Sequence, residues 1–265
     1  MTRMDDVNRR GLVLLGCGKM GSAMLAGWLA GGLDPAAVHV VDPAPSDWLR
    51  GTGVVLDGPL PDTPALTLIA VKPQTMGDAL PALQGLRNTL FVSVAAGTTI
   101  AAFEAAFGPD ARIVRAMPNT PAAVGAGITA IVGNANAGDA DLDLAQTFLS
   151  AVGDVVRLDD ETQMDAVTGL SGSGPAYVFH LIEAMAAAGI AQGLAPDLAL
   201  RLARATVAGA GKLALDGADP AQLRRDVTSP NGTTQAGLAV LMDELPDLME
   251  RTVAAAADRS RALRG

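Results

Sequence analysis

The chain has 265 residues, 49% of them hydrophobic, with a formal net charge of −9. That length admits one large domain or two smaller ones with ample apolar content for a core, and the acidic balance argues against nucleic acid or an anionic membrane surface as the main partner. The one cysteine, Cys17, excludes an internal disulfide, and two distant histidines, His39 and His180, leave no basis for a metal site. The opening MTRMDDVNRR lacks an apolar core of the secretory kind, and no unbroken apolar run reaches ~18 residues, so a cytoplasmic protein without a membrane span is the expectation.

In chain order, the first predicted element is LVLLGCGKMG (Leu12 to Gly21), an apolar strand running into G-x-G-x-x-G and then a helix pattern. Gly16 allows a tight turn, Gly18 lets backbone approach a pyrophosphate, and Gly21 lets the helix pack closely on the strand. The phosphates belong at the helix N-terminus, where unpaired N–H groups and the helix dipole favour anions. A turn with no ligand is the alternative. The next strand, AVHVVD (Ala37 to Asp42), weighs against it by ending in a carboxylate about 20 residues on, where a ribose hydroxyl is expected. Cys17, inside the glycine loop, reads as a small tolerated side chain rather than a reactive thiol.

Further strands are expected at Val54 to Leu56, Leu66 to Val71, Thr89 to Val94, Arg112 to Met117 and Gly127 to Val132. Alternating with helix-like stretches as far as about Leu158, they predict an α/β domain with a largely parallel sheet. Three of them end in marked loops, Lys72-Pro73-Gln74, Ala95-Ala96-Gly97 and Pro118-Asn119-Thr120-Pro121. In an open α/β sheet ligands lie beyond the strands' carboxyl ends, so these loops should border one crevice with the glycine loop.

After about Asp160 the strand signals stop, and alanine-rich helical sequence continues, broken at Gly189 to Pro196, Asp216 to Pro220, Ser229 to Gly232 and Pro246. The chain therefore divides into residues 1–160 and a helical domain, 161–265. Along Tyr177 to Ile190 apolar residues cover most of the helix surface, which suits either a bundle core or an oligomer interface. Two turns, LSGSGPAY (Leu170 to Tyr177) and VTSPNGTTQ (Val227 to Gln235), exceed what packing requires. Each offers unpaired amides that could hold a carboxylate without an arginine, although plain helix capping is the simpler reading of either one alone.

Together the motifs resemble the pyrroline-5-carboxylate reductase family. The resemblance is carried by GCGKMG, VKPQ (Val71 to Gln74), SVAAGTT (Ser93 to Thr99), RAMPNTPAAVGAG (Arg115 to Gly127), GLSGSGPAYVF (Gly169 to Phe179) and DVTSPNGTT (Asp226 to Thr234), in the family's order and across nearly the whole chain. It implies an N-terminal Rossmann domain and an all-α C-terminal domain that dimerises, with larger assemblies of dimers common. It also implies reduction of the cyclic imine 1-pyrroline-5-carboxylate to L-proline by hydride from NAD(P)H, the last step of proline biosynthesis. By the same resemblance Gly16, Cys17, Gly18, Lys19, Met20, Gly21, Asp42, Val71, Lys72, Pro73, Ser93, Ala95, Pro118 and Asn119 bind the cofactor, with Gln74 beside them. Ser229, Asn231, Gly232, Thr233 and Thr234 form the substrate loop, whose amides hold the carboxylate while the Thr234 hydroxyl faces the ring nitrogen as the catalytic group.

Two residues depart from the family's pattern. Asn231 stands where glycine is usual, which implies a left-handed residue that asparagine supplies at some cost. Asp42 stands where many relatives carry small, hydroxyl or basic residues; a carboxylate there bonds ribose hydroxyls and repels a 2′-phosphate, so a preference for NADH over NADPH is expected. Two rivals share the Rossmann domain. A β-hydroxyacid dehydrogenase needs a catalytic lysine early in its helical half, but the lysines here are Lys19, Lys72 and Lys212, the last falling late. A non-catalytic nucleotide sensor could keep GCGKMG yet lose SPNGTT, and this chain keeps both.

Overall fold

The structure is a computed structural model in which residues 3–263 are described. Its elements are α1 (Arg3–Arg10), β1 (Leu12–Leu15), α2 (Lys19–Ala30), β2 (Val38–Val41), α3 (Asp47–Arg50), β3 (Val55–Leu56), β4 (Leu66–Ile69), α4 (Met76–Ala79), β5 (Leu90–Ser93), α5 (Ile100–Phe107), β6 (Arg112–Met117), β7 (Gly127–Gly133), α6 (Asp139–Leu149) and β8 (Gly153–Arg157). Four helices follow the short α7 (Met164–Val167): α8 (Gly174–Ala191), α9 (Pro196–Leu215), α10 (Pro220–Asp226) and α11 (Thr233–Ala262). Two compact units result, one running up to Gly172 and taking in the segment from Ala256 on, the other spanning Ser173–Ala255.

The first unit is built on an eight-stranded sheet of order β3-β2-β1-β4-β5-β6-β7-β8, parallel except where β7 runs antiparallel to β6. Its central strands β1, β4 and β5 are buried along their whole length because both faces are covered, and successive residues point to opposite faces. Leu12 and Leu14 join a buried cluster with Met24, Leu25 and Trp28 of α2 and Phe148 of α6. Val13 and Leu15 join a second, with Ile69, Phe91, Ile100 and Phe103. Trp28 ties α2 to α6 by donating its indole N–H to the Phe148 carbonyl at 2.7 Å, with the two rings edge to face.

The sequence reading did not anticipate β8. GDVVR has two apolar residues and opens on glycine, and the strand exists because it pairs with β7. Gly153 takes φ +145°, and a Cβ there would stand 1.9 Å from the Gly127 carbonyl oxygen. Residues 161–172 pack within the first unit, beyond the boundary expected at residue 160, with Met164 fully buried in the second cluster.

In the second unit α8 and α9 pack through small residues. Ala186, Ala199 and Ala203 are buried, and a Cβ on Gly189 would lie 3.3 Å from that of Ala199. The large apolar residues stay outside: Phe179 of α8 is 59% exposed, Leu202 of α9 47% and Leu248 of α11 50%. The break expected at Pro246 is not there. Proline removes one N–H from the ladder, yet α11 runs through it as a single helix of 30 residues. The turn expected at Ser171 to Gly174 is a five-residue π-helical segment, Thr168–Gly172, with a bend at Ser173. With that join, residues 161–191 become one helical stretch long and apolar enough, by length and composition alone, to cross a membrane.

Candidate active site

The parallel strands β2, β1, β4, β5 and β6 lie side by side, so the loops after them share one edge of the sheet. β1 sits between β2 and β4, which makes the β1–β4 boundary the point where strand order reverses and a crevice opens. Gly16 closes the turn there. Its φ is +86°, its N–H donates to the Val41 carbonyl at 2.9 Å, and a Cβ would press on Val71 Cγ1 at 2.7 Å. Gly21 is held as tightly, since a Cβ on it would meet the Gly16 oxygen at 2.4 Å. Gly18 is the opposite case. It caps α2 with no side-chain hydrogen bond, and a Cβ added to it meets nothing within 4 Å. The protein therefore has space in front of an uncapped helix N-terminus, with Lys19 exposed and Met20 half-buried behind it. A pyrophosphate needs this cradle.

Asp42 follows directly on β2, and its carboxylate is already engaged. Oδ2 accepts the Cys17 N–H at 2.6 Å and Oδ1 the Ala44 N–H at 2.8 Å, so Asp42 holds the glycine loop across 25 residues of sequence. Each oxygen keeps a second lone pair. Burial, and then the Asp42 charge, push the Cys17 thiol up from 9.0 to about 11. At physiological pH this holds the thiol in its neutral form.

After β4, Val71 leads to the exposed Lys72, Pro73 and Gln74, with Pro73 opening a 3₁₀ turn whose Thr75 N–H bonds the Lys72 carbonyl. After β5, the buried Ser93 accepts the Ala95 N–H through Oγ at 3.2 Å. After β6, Pro118 is buried and Asn119 is fixed at both ends: Oδ1 accepts the Ile128 N–H at 3.0 Å, and Nδ2 approaches the Ser171 carbonyl at 3.4 Å. All fourteen residues expected to bind the cofactor thus lie in the first unit: Ser93 at the end of β5, the rest in loops at the same edge of the sheet or at the start of α2.

Ser229 to Thr234 lie in the second unit. Asn231 is left-handed at φ +58°, the Gly232 N–H donates to the Ser229 carbonyl at 3.0 Å, and Thr233 and Thr234 open α11 with their side chains exposed. First-turn amides of a helix have no partner within it, so those of α11 are donors for an anion. Sequence reasoning missed Gln235, whose Oε1 accepts the Asn231 N–H at 2.6 Å. Its position four residues beyond the left-handed residue was the available signal. Also missed was Glu161, whose Oε1 accepts both the Ile100 N–H at 2.9 Å and a 2.6 Å hydrogen bond from Arg115, a guanidinium only 2% exposed. Nothing local in the sequence marks that pairing.

The family model for pyrroline-5-carboxylate reductase dimerisation matches residues 161–263. A pyrroline-5-carboxylate reductase of Pseudomonas aeruginosa is 38% identical over 262 residues, covering 95% of this chain and 96% of that protein. The chain belongs to the pyrroline-5-carboxylate reductase family. The reductase of Synechocystis is 43% identical over 239 residues, 87% of this chain and 89% of that one. Among solved structures, the pyrroline-5-carboxylate reductase of Coxiella burnetii superposes with a TM-score of 0.90 at 32% identity, covering 97% of this chain and 99% of that chain. The pyrroline carboxylate reductase of Plasmodium falciparum, solved with NADP bound, gives 0.82 at 28% identity, with the same coverage of both. As the resemblance implied, the reductase fold here joins a Rossmann-type domain to a helical region. The family's dimerisation match begins at residue 161, whereas the second compact unit begins at Ser173.

Proposed function

We propose that this member of the family is a working pyrroline-5-carboxylate reductase, an oxidoreductase acting on a CH–NH bond that converts 1-pyrroline-5-carboxylate to L-proline with NAD(P)H. The observation that carries the reading is the pairing, in one chain, of an open cradle at Gly18 with a left-handed, amide-presenting turn at Ser229 to Thr234. The cradle fits a dinucleotide. The turn fits a small carboxylate, and in a chain with net charge −9 such amides spare the need for a cationic pocket.

When bound, NAD(P)H supplies the hydride that reduces the imine carbon. The residues of this chain bind and orient. First-turn amides of α2 and the Gly18 gap receive the pyrophosphate, and the loops after β4, β5 and β6 border the nicotinamide end. The first-turn amides of Thr233 and Thr234, at the head of α11, hold the substrate carboxylate. The Thr234 hydroxyl accepts from the protonated ring nitrogen and holds it in place, because its own proton is too weakly acidic to be the sole source. A protonated imine is already a strong hydride acceptor, so orientation contributes more than acid catalysis, and no histidine is required.

Two finer readings belong with this one. Asp42 sets a preference for NADH, since its free lone pairs suit a ribose 2′-hydroxyl and its charge opposes a 2′-phosphate. The chain self-associates as a dimer or an assembly of dimers through the apolar faces of α8, α9 and α11. That assembly accounts for the apolar stretch 161–191 in a cytoplasmic enzyme without a bilayer. The test is reduced-nicotinamide oxidation, followed by absorbance, with pyrroline-5-carboxylate as substrate and NADH and NADPH compared. Turnover with a higher specificity constant for NADH is expected. Cofactor binding without turnover would favour the sensor, and a higher constant with NADPH would overturn the Asp42 reading.

A further inference from the structure

The turn between β5 and α5 carries Ala95 and begins beside Ser93, two residues read above as bordering the cofactor. Side chains and backbone distant in sequence hold it. At its far end Glu161, anchored by Arg115, accepts the Ile100 N–H at 2.9 Å. At its tip Gly97 takes φ +78°, and a Cβ there would stand 3.4 Å from the Leu263 carbonyl oxygen, so the end of α11 lies against the glycine. That end is itself pinned. The Ser260 hydroxyl donates to Asp165 Oδ1 at 2.8 Å, with Ser260 6% and Asp165 1% exposed. Met164, next to Asp165, is buried in the apolar cluster that also contains Ala95 and Ile100.

A buried carboxylate and a buried hydroxyl each cost desolvation that their mutual hydrogen bond offsets, so the bond fixes where the last turns of α11 come to rest. A displacement of those turns moves the Leu263 carbonyl relative to Gly97, which at the tip of the turn has no side chain to resist. We propose that Asp165 and Ser260 are a positioning pair that docks the end of α11 against Gly97 and thereby sets the β5–α5 turn for the nicotinamide end of the cofactor. The proposal rests on the reading that this turn borders NAD(P)H.

The full-length enzyme carrying Ser260→Ala, Ser260→Thr, Gly97→Ala or Gly18→Ala would be titrated with NADH and NADPH by nicotinamide fluorescence, and its KM for pyrroline-5-carboxylate measured separately. Ser260→Ala should raise the cofactor Kd at least fivefold while the substrate KM stays within twofold. Ser260→Thr, which keeps the hydroxyl, should restore the Kd. Gly97→Ala strains the same turn from within, because an L side chain rarely adopts φ +78°, and should reproduce the defect, which keeps the test alive if Ser260→Ala does not fold. If both Ser260→Ala and Gly97→Ala fold and bind cofactor within twofold of the parent while Gly18→Ala does not, the positioning pair is refuted and the cofactor reading stands. If Gly18→Ala also binds normally, the cofactor reading falls and the proposal with it.

Discussion

At the scale of single residues, the glycine loop divides into positions the chain encloses and one it leaves open. Gly16 and Gly21 are enclosed by their own chain, whereas the space beyond Gly18 is open. Asp42 shows how one side chain joins two loops, because its carboxylate accepts the Cys17 amide with one oxygen and the Ala44 amide with the other. The same carboxylate helps keep the Cys17 thiol near pKa 11. Since the thiolate is the reacting form, alkylation at pH 8 should run about 100-fold slower than for a thiol of ordinary pKa. Asp42→Asn removes one of the two causes and should speed it; an unchanged alkylation rate in that variant would refute the assignment. On the substrate side, Thr234→Ala should lower kcat substantially with NAD(P)H affinity nearly intact. Near-normal turnover would take Thr234 out of the mechanism.

At the scale of elements, two pieces of backbone are held by contacts that neighbouring sequence does not supply. Where β8 starts against β7, Gly153 and Gly127 come closer than side chains would allow. Gly153→Ala should therefore destabilise the fold by about 3 kcal/mol or more, read as a lowered thermal midpoint. Gly138→Ala, where a Cβ meets nothing within 4 Å, is the control and should change little. At the head of α11, Gln235 bonds the amide of the left-handed Asn231. Losing that bond in Gln235→Leu removes about 1 kcal/mol of loop ordering and should raise the substrate KM about fivefold, with cofactor affinity unchanged. An unaltered KM would show that the loop keeps its shape without it. Strands β1 to β7 were legible from their apolar runs and the loops that end them. β8 was not, since its pattern is polar and its reason lies in its partner. Pro246 misled for the converse reason: its lost N–H and ring clash, about 3 kcal/mol, did not end a helix of 30 residues.

At the scale of the whole molecule, α8, α9 and α11 present more apolar surface than a lone helical unit keeps in water, with Phe179, Leu198, Leu202, Leu241 and Leu248 all exposed. In solution the enzyme should therefore elute at twice 26.8 kDa or a higher multiple, with a thermal midpoint that rises with concentration. Leu202→Glu should shift it toward the single-chain mass. A wild-type protein of 26.8 kDa at every concentration would contradict the assembly. The sequence by itself determined the class of fold, the glycine turn, the loops at the strand ends, the turn at Ser229 to Thr234 and the family. These are written in spacing over a few residues, where glycine, proline and apolar periodicity act through local sterics and side-chain direction. Only the tertiary structure decided that Asp42 secures Cys17, that Glu161 joins Arg115 to the start of α5, and that the end of α11 rests on Gly97 through Ser260 and Asp165. Those partners stand 25 residues or more apart in the chain, and packing of the sheet and its helices, not local conformational preference, brings them within hydrogen-bond reach.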